Sequence, residues 1–139
     1  MVRGSFLALD VGDARIGVAI ANAEVRFSNP LTTLSNDADF LAKLITLIGE
    51  HDVLKLIIGL PRNLNGQETE QTKKVRTFAA QLKVKINLPI VLSDEAATSV
   101  KAEAELRSRG KPYEKGDIDA LAAAYILEDY LSEPGGIEV

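Results

Sequence analysis

The chain has 139 residues, the length of one domain, and its 46% hydrophobic and 26% charged content is typical of a globular protein rather than a disordered one. The absence of cysteine excludes disulfides, thiolate metal sites and a cysteine nucleophile, and the single histidine, His51, leaves carboxylates as the ligands for any metal. A net charge of -4 argues against coating nucleic acid by bulk electrostatics, although it does not exclude a local contact.

No targeting or membrane segment is recognisable. The residues before Ser5 are few, and Asp10 interrupts the first apolar run. No stretch approaches the ~18 apolar residues that a membrane helix needs. We therefore expect a cytoplasmic protein that has no membrane partner.

Three strands are predicted at the start of the chain. Ser5–Val11 and Arg15–Asn22 are apolar alternating segments joined by a short Gly/Asp turn, the pattern of a hairpin. Glu24–Leu34 alternates more roughly, and Pro30 in its middle indicates an edge strand.

A helix and a buried strand follow. Apolar residues recur at three- and four-residue spacing over Asp37–Asp52, which predicts a helix capped by Asn36 or Asp37. Leu54–Pro61 is a continuous apolar run, typical of a strand buried on both faces.

The next helix is predicted over Gln67–Lys85, where Asn65 and Glu68 have the spacing of a capping box. Leu88–Leu92 is predicted to be a second buried strand, closed by Ser-Asp-Glu.

Two more helices complete the pattern. They are predicted over Thr98–Arg109 and Asp117–Leu131, and Gly110 and Pro134 follow them as stop signals. Residues 132–139 are expected to be a flexible tail. The order of elements predicts an α/β fold: one domain over 1–139 with a mixed five-stranded sheet, three antiparallel strands then two parallel, and helices on both faces.

Acidic residues at the ends of predicted buried strands are the main chemical signal. Asp10 ends the first strand, and Asp94 and Glu95 follow Leu88–Leu92. Ligands of an α/β sheet gather at the carboxyl ends of its strands, so these acids are expected to converge. Asp119, in the first turn of the last predicted helix, is a third candidate.

Several carboxylates in one crevice repel each other unless a cation offsets their charge. Such a cluster is most simply a Mg²⁺ or Mn²⁺ site. Two ions ~3.5–4 Å apart could clamp a phosphodiester and activate water.

Structural explanations compete with this interpretation. Either member of the Asp94–Glu95 pair could merely begin a turn. Asp117 has the position of an N-cap, and the helix dipole favours acids in a first turn, which explains Asp119 in part. His51, at a predicted helix end, is interpreted as structural.

Several residues near Asp10 could contact substrate. Gly12 and Gly17 serve a tight turn, let the backbone approach a phosphate, or do both. Arg15 either pairs with Asp10 or contacts phosphate. Arg62 and Asn63 follow a buried strand at the same predicted sheet edge and suit contact with phosphate or water.

Basic residues form two clusters, of which the second leads directly to Asp117 and Asp119. The clusters are Lys73, Lys74 and Arg76, and then Arg107, Arg109, Lys111 and Lys115.

Four motifs together resemble a known family. DVGDARIGVAIAN, IIGLPRNLNGQETEQ, LSDEAATSVKAE and DIDALAAAYILEDYL, in this order and spacing, resemble the YqgF/RuvX family over roughly Phe6 to Leu131. These are small bacterial ribonuclease H-like proteins named as Holliday junction resolvases and as pre-16S rRNA nucleases.

The resemblance implies a ribonuclease H-like fold and a divalent-metal nuclease. Asp10, Glu95 and Asp119 match the family's acidic positions and would be both catalytic and metal-binding residues. Asn63 and Gly66 match its polar loop. One departure is Ala96, which stands where the family usually has an arginine that could hold a phosphate.

The resemblance favours hydrolysis of structured RNA, above all processing of the 5′ end of pre-16S rRNA in ribosome biogenesis, with branched DNA second. A catalytically weakened nucleic-acid-binding or ribosome-assembly module is the alternative that Ala96 favours. An actin-like ATPase would need two such domains. Monomer and homodimer both stay open.

Overall fold

Six strands form one sheet in the part of the chain that the computed structural model describes, residues 4–62, 65–95 and 98–139. The strands are β1 Ser5–Val11, β2 Arg15–Asn22, β3 Asn29–Ser35, β4 Val53–Pro61, β5 Ile90–Glu95 and β6 Ile137–Glu138. The helices are α1 Phe40–Glu50, α2 Glu70–Lys85, α3 Thr98–Ser108 and α4 Lys115–Ser132.

The strand order is β3-β2-β1-β4-β5-β6. β1 pairs antiparallel with β2, and β2 with β3, whereas β1–β4 and β4–β5 are parallel. The predicted mixed α/β sheet is therefore confirmed, with β1 and β4 at its centre.

The predicted number of five strands is wrong by one, because β6 adds a short antiparallel strand. Ile137 and Glu138 pair with Leu92 and Val91 of β5. This pair lies within the segment 132–139, where we expected a flexible tail. Two residues are too few to show a period, so only the neighbouring strand defines β6.

Helices cover both faces of the sheet. Leu7 and Leu9 of β1 belong to a buried cluster with α1 and α2, whereas Ala8 between them belongs to a cluster with α3 and α4. Successive residues of a strand point to opposite faces, so a central strand is apolar throughout. None of the helices in the described ranges is long and apolar enough to cross a membrane.

The predicted caps were wrong, since local hydrogen bonds select other residues. Thr69, not Asn65, caps α2: its hydroxyl accepts from the Thr72 N–H at 3.3 Å, and the Thr72 hydroxyl accepts from the Thr69 N–H at 2.9 Å. The Thr72 hydroxyl also bonds the Pro61 carbonyl, which ties α2 to the end of β4.

The other two helices also begin differently. Asp39 precedes α1 without a side-chain cap, and the carboxylate of Asp37 accepts from the Asp39 N–H. Glu114 is the N-cap of α4, and Asp117 is its partner three residues on, accepting from the Glu114 N–H at 2.8 Å.

Two strand boundaries differ in ways that matter for the site. β3 begins at Asn29 rather than Glu24, because the Asn22 side chain accepts from the N–H groups of Glu24 and Val25 and forms a turn. β5 does not end at Leu92 but continues to Glu95, which pairs with Pro61.

Candidate active site

Asp10 lies near the carboxyl end of β1, in the middle of the sheet. Ala8 packs toward α4, so the alternation of the strand directs Asp10 to the same face two residues later. Val11 is the last residue of β1, and a tight turn braced by a Gly12 N–H bond to the Arg15 carbonyl leads back into β2.

Asp119 is brought to Asp10 by a backbone contact. Gly17 of β2 pairs directly with Asp10. A Cβ atom on Gly17 would overlap the backbone carbonyl of Asp119. The helix α4 therefore rests on the bare backbone of β2, which places Asp119 beside the partner of Asp10.

Glu95 reaches the same place from the other side. Leu9 of β1 pairs with Ile58 of β4. Gly59 follows Ile58 toward the carboxyl end of β4, as Asp10 follows Leu9 toward the carboxyl end of β1. The Glu95 carboxyl carbon lies 3.1 Å from the position that a Cβ on Gly59 would take. The glycine leaves the room that this carboxyl group occupies.

Glu95 and Asp119 both lie close enough to Asp10 to act on its carboxyl group electrostatically. Burial, then the negative charges of Glu95 and Asp119, raise the pKa of Asp10 from 3.8 to about 7. A buried carboxyl group with acidic neighbours resists ionisation unless a cation is near.

Arg15 is a cation that contacts one of these three acids. Its Nε–H donates to Oδ2 of Asp119 at 2.6 Å, and not to Asp10 as one sequence-based alternative had it. The side chains of Arg15 and Asp119 are 42% and 19% exposed, so solvent screens the pair only in part.

The remaining predicted substrate residues are engaged within the protein or lie outside the described residues. Arg62 donates to Asp94 at 2.9 Å and to the Gly66 carbonyl at 3.2 Å. The carbonyl of Gly12 accepts from the Asn36 side chain at 2.8 Å. Asn63 and Ala96 fall within the two internal gaps, so the prediction for Asn63 and the departure at Ala96 lie outside the described residues.

The donor set suits a hard divalent cation in kind, because it consists of carboxyl groups, which bind such a cation through their oxygen atoms when ionised. Within the described ranges, no three Asp, Glu, His or Cys side chains stand close enough together to hold one ion as they are. Arg15 occupies one oxygen of Asp119.

Two glycines set this geometry: sequence analysis assigned Gly17 to the turn or to a phosphate contact, and it missed Gly59. Gly17 and Gly59 each interrupt an apolar strand pattern, which is the usual signal of a close approach by another group. It also missed Gln71, whose side-chain amide donates to the Val11 carbonyl at 3.3 Å and braces the end of β1.

The fold is of the ribonuclease H-like class. The chain superposes on Thermus thermophilus RuvC in complex with Holliday junction substrate, with a TM-score of 0.59 and 14% identity over 99% of this chain and 100% of that one. A second RuvC structure from the same organism gives a TM-score of 0.52 at 12% identity.

The chain belongs to the RuvX family, whose model, described as Holliday junction resolvase, matches residues 4–133. A relative from Chloroflexus aurantiacus, named "Putative pre-16S rRNA nuclease", is 42% identical over 90% of this chain and 84% of its own length. A protein of the same name from Crocosphaera subtropica is 41% identical, with 96% of both chains covered. The resemblance seen in the sequence motifs is thereby confirmed.

Proposed function

We propose that this protein is a divalent-metal-dependent nuclease that hydrolyses phosphodiester bonds of structured nucleic acid in the cytoplasm. Its proposed substrate is the 5′ end of pre-16S rRNA, in line with the names of the relatives. Branched DNA is the second candidate, which the description of the family favours. The observation that carries the proposal is the placement of Glu95 and Asp119 on either side of Asp10 at the carboxyl end of the sheet, where both raise the pKa of its carboxyl group.

In this proposal Asp10, Glu95 and Asp119 hold Mg²⁺ or Mn²⁺. We further propose that the site binds two such ions. The cation supplies electrophilic stabilisation of the negative charge that develops on the phosphate. Asp10 is the inner residue, because it is on a central strand between the other two acids. Its carboxyl group is available as an anion above its pKa of about 7, or at lower pH when a cation offsets the neighbouring charges.

Arg15 has two roles in this proposal. Its Nε–H orients Asp119, as the 2.6 Å bond indicates. A guanidinium group has five N–H donors, so the others remain able to bind a phosphate oxygen. Arg62 provides a second guanidinium group at the same sheet edge, after β4.

The test is cleavage of labelled pre-16S 5′ fragments and of four-way DNA junctions with Mg²⁺ or Mn²⁺. Asp10→Asn, Glu95→Gln and Asp119→Asn should each slow cleavage by roughly 100-fold or more, the scale of losing a group that stabilises transition-state charge. Asp129→Asn, an exposed site on the same helix as Asp119, is the matched control and should cleave like wild type.

A wild-type protein that cleaves no substrate better than Asp10→Asn would contradict the nuclease proposal. Retained binding of the same RNA in that case would support the alternative, a binding or ribosome-assembly module.

A further inference from the structure

A furrow runs along the outer edge of β3, the strand at one end of the sheet order. It has a volume of about 480 Å³, and its lining includes all of residues 30–35. Successive residues of a strand point to opposite faces, so a cavity that touches six in a row lies along the edge itself. The opposite wall is the start of α4, at Gly116 and Asp117.

One end of the furrow opens at the candidate active site. Arg15 lines this end, and its Nε–H is bonded to Asp119 at 2.6 Å. A chain lying in the furrow would therefore reach Arg15, the residue that is bonded to Asp119.

The other end continues into a second cavity of about 270 Å³. The two cavities share Pro30, Asp117 and Ala120, so they lie next to each other on the surface. The second cavity ends between Arg109, Lys111 and Tyr113, part of the second basic cluster of the sequence.

The walls suit a sugar–phosphate chain. Cationic groups stand at both ends, and Thr32 and Ser35 line the part between them. Thr33 also lines it, but its hydroxyl donates to the Gly116 carbonyl at 2.6 Å. Of the two acids in the wall, Glu114 and Asp117, the carboxylate of Asp117 accepts from the Glu114 N–H in the cap of α4. Phosphate contacts come mainly from Arg, Lys and hydroxyl groups, and an aromatic ring such as that of Tyr113 adds a surface for a base.

We propose that this furrow binds a single-stranded extension of the nucleic-acid substrate and leads it to the acids. This inference rests on the proposed nuclease function. Cavities of about 480 and 270 Å³ have the size that holds small ligands, or a few nucleotides of one strand. A double helix, whose major groove alone is ≈ 12 Å wide, does not fit into them.

A protein strand pairing with the open edge of β3 would be the other occupant. Two features of β3 argue against it: Pro30 has no N–H to donate, and the register with β2 shifts between Val18 and Ala19. The cations at both ends favour the nucleic acid.

The experiment measures binding by fluorescence anisotropy in EDTA, so that it does not depend on cleavage. The probes are a labelled RNA duplex with an eight-nucleotide 3′ or 5′ extension and the same duplex with blunt ends, at 50 mM to 1 M salt. Lys111→Gln is the test variant. Lys85→Gln, at the end of α2 and away from the furrow, makes the same charge change and is the control.

The wild type should bind an extended duplex more tightly than the blunt one. Lys111→Gln should raise the Kd of that extended duplex about eightfold at 50 mM salt and leave it unchanged near 1 M, as expected for one phosphate contact on a single strand with a log–log slope of ≈ 0.7. Lys111→Gln should leave the Kd of the blunt duplex unchanged. Lys85→Gln should bind both duplexes with the same Kd values as the wild type. Thr32→Lys, which adds a cation in the furrow, should tighten binding of the extended duplex.

Several results would overturn the inference. They are equal affinity of wild type for blunt and extended duplexes, no binding of either, or equal losses for Lys111→Gln and Lys85→Gln. A wild-type dimer that Thr32→Lys dissociates would instead assign the β3 edge to a second copy of the chain. Cleavage is assayed separately. A wild type that binds as expected but cleaves nothing would contradict only the proposed nuclease function. A wild type that cleaves but does not prefer the extended duplex would contradict only the proposed role of the furrow.

Discussion

At the scale of single residues, Asp10 links the stability of the fold to pH. Its folded pKa of about 7 lies above its ordinary value of 3.8, so the folded state holds this proton more tightly than the unfolded chain does. The stabilisation is fully present below about pH 4 and is lost as the pH rises through about 7. The difference between the two values corresponds to about 4 kcal/mol.

We predict that Asp10→Asn, which cannot ionise, is more stable than wild type at pH 8 by up to about 4 kcal/mol, and nearly equal to it at pH 4. Urea denaturation in EDTA at both pH values checks this. Asp129→Asn, exposed on α4, should show no such pH-dependent difference. A constant advantage of Asp10→Asn at both values would mean that charge is not the cause.

Arg15 is predicted to compete with a divalent cation for Asp119, since both would bind its carboxylate group. Arg15→Gln should tighten Mn²⁺ binding in calorimetry roughly twofold to fivefold, the equivalent of an ion pair worth up to about 1 kcal/mol. The same variant should slow cleavage because a phosphate contact is lost.

Arg26→Gln, at the turn after β2, makes the same change away from the acids and is the matched control. Weaker Mn²⁺ binding by Arg15→Gln would contradict the prediction and would show that the orientation of Asp119 by Arg15 outweighs any competition for its carboxylate.

At the scale of elements, the contact between β2 and α4 sets the position of the site. A methyl group at Gly17 has no room, since it would overlap the backbone of Asp119, which cannot rotate away as a side chain can. We predict that Gly17→Ala costs roughly 2–3 kcal/mol or more and abolishes cleavage even where the protein is still folded.

Gly49 in α1 is the natural control, because nothing lies within 4 Å of the Cβ that an alanine would add. Gly49→Ala should stabilise the protein by up to about 1 kcal/mol, because alanine favours the helical conformation of this last turn of α1 more than glycine does, and leave cleavage unchanged. The free energies of unfolding come from urea denaturation. Equal effects of the two substitutions would contradict the close packing at Gly17.

The sequence predicted all four helices and the first five strands at this scale, since their apolar periods are long enough to read. It placed Asp10 and Glu95 at strand ends correctly. It did not predict β6, whose two residues have no period, or the Thr69–Thr72 cap, because several adjacent polar residues could have served. The pairing of Arg15 with Asp119 also could not be predicted, because the two residues are 104 positions apart in the sequence.

At the scale of the whole molecule, we propose that the two hydrophobic clusters unfold as one domain. All three tyrosines lie on the α3–α4 side, so tyrosine fluorescence reports that layer alone, whereas far-UV circular dichroism reports every element. Leu44 of α1 is fully buried on the opposite side, and Leu127 of α4 is fully buried on the tyrosine side.

Leu44→Ala and Leu127→Ala should each cost about 2–5 kcal/mol. In both variants the fluorescence and dichroism transitions should coincide, because the shared sheet couples the layers. Separate transitions in Leu44→Ala would show that the α3–α4 layer unfolds independently.

The open edge of β3 has a consequence for behaviour in concentrated solution. An exposed strand edge is a template for aggregation, which natural proteins limit with proline and with breaks in register. β3 has both features. Pro30 is its proline, and the register with β2 shifts so that Leu31 has no partner residue in the pairing. The strand can therefore remain uncovered along the furrow while the protein stays dispersed. A β-branched residue in place of Pro30 would pair better with a neighbouring strand and would therefore lower the colloidal stability of the protein.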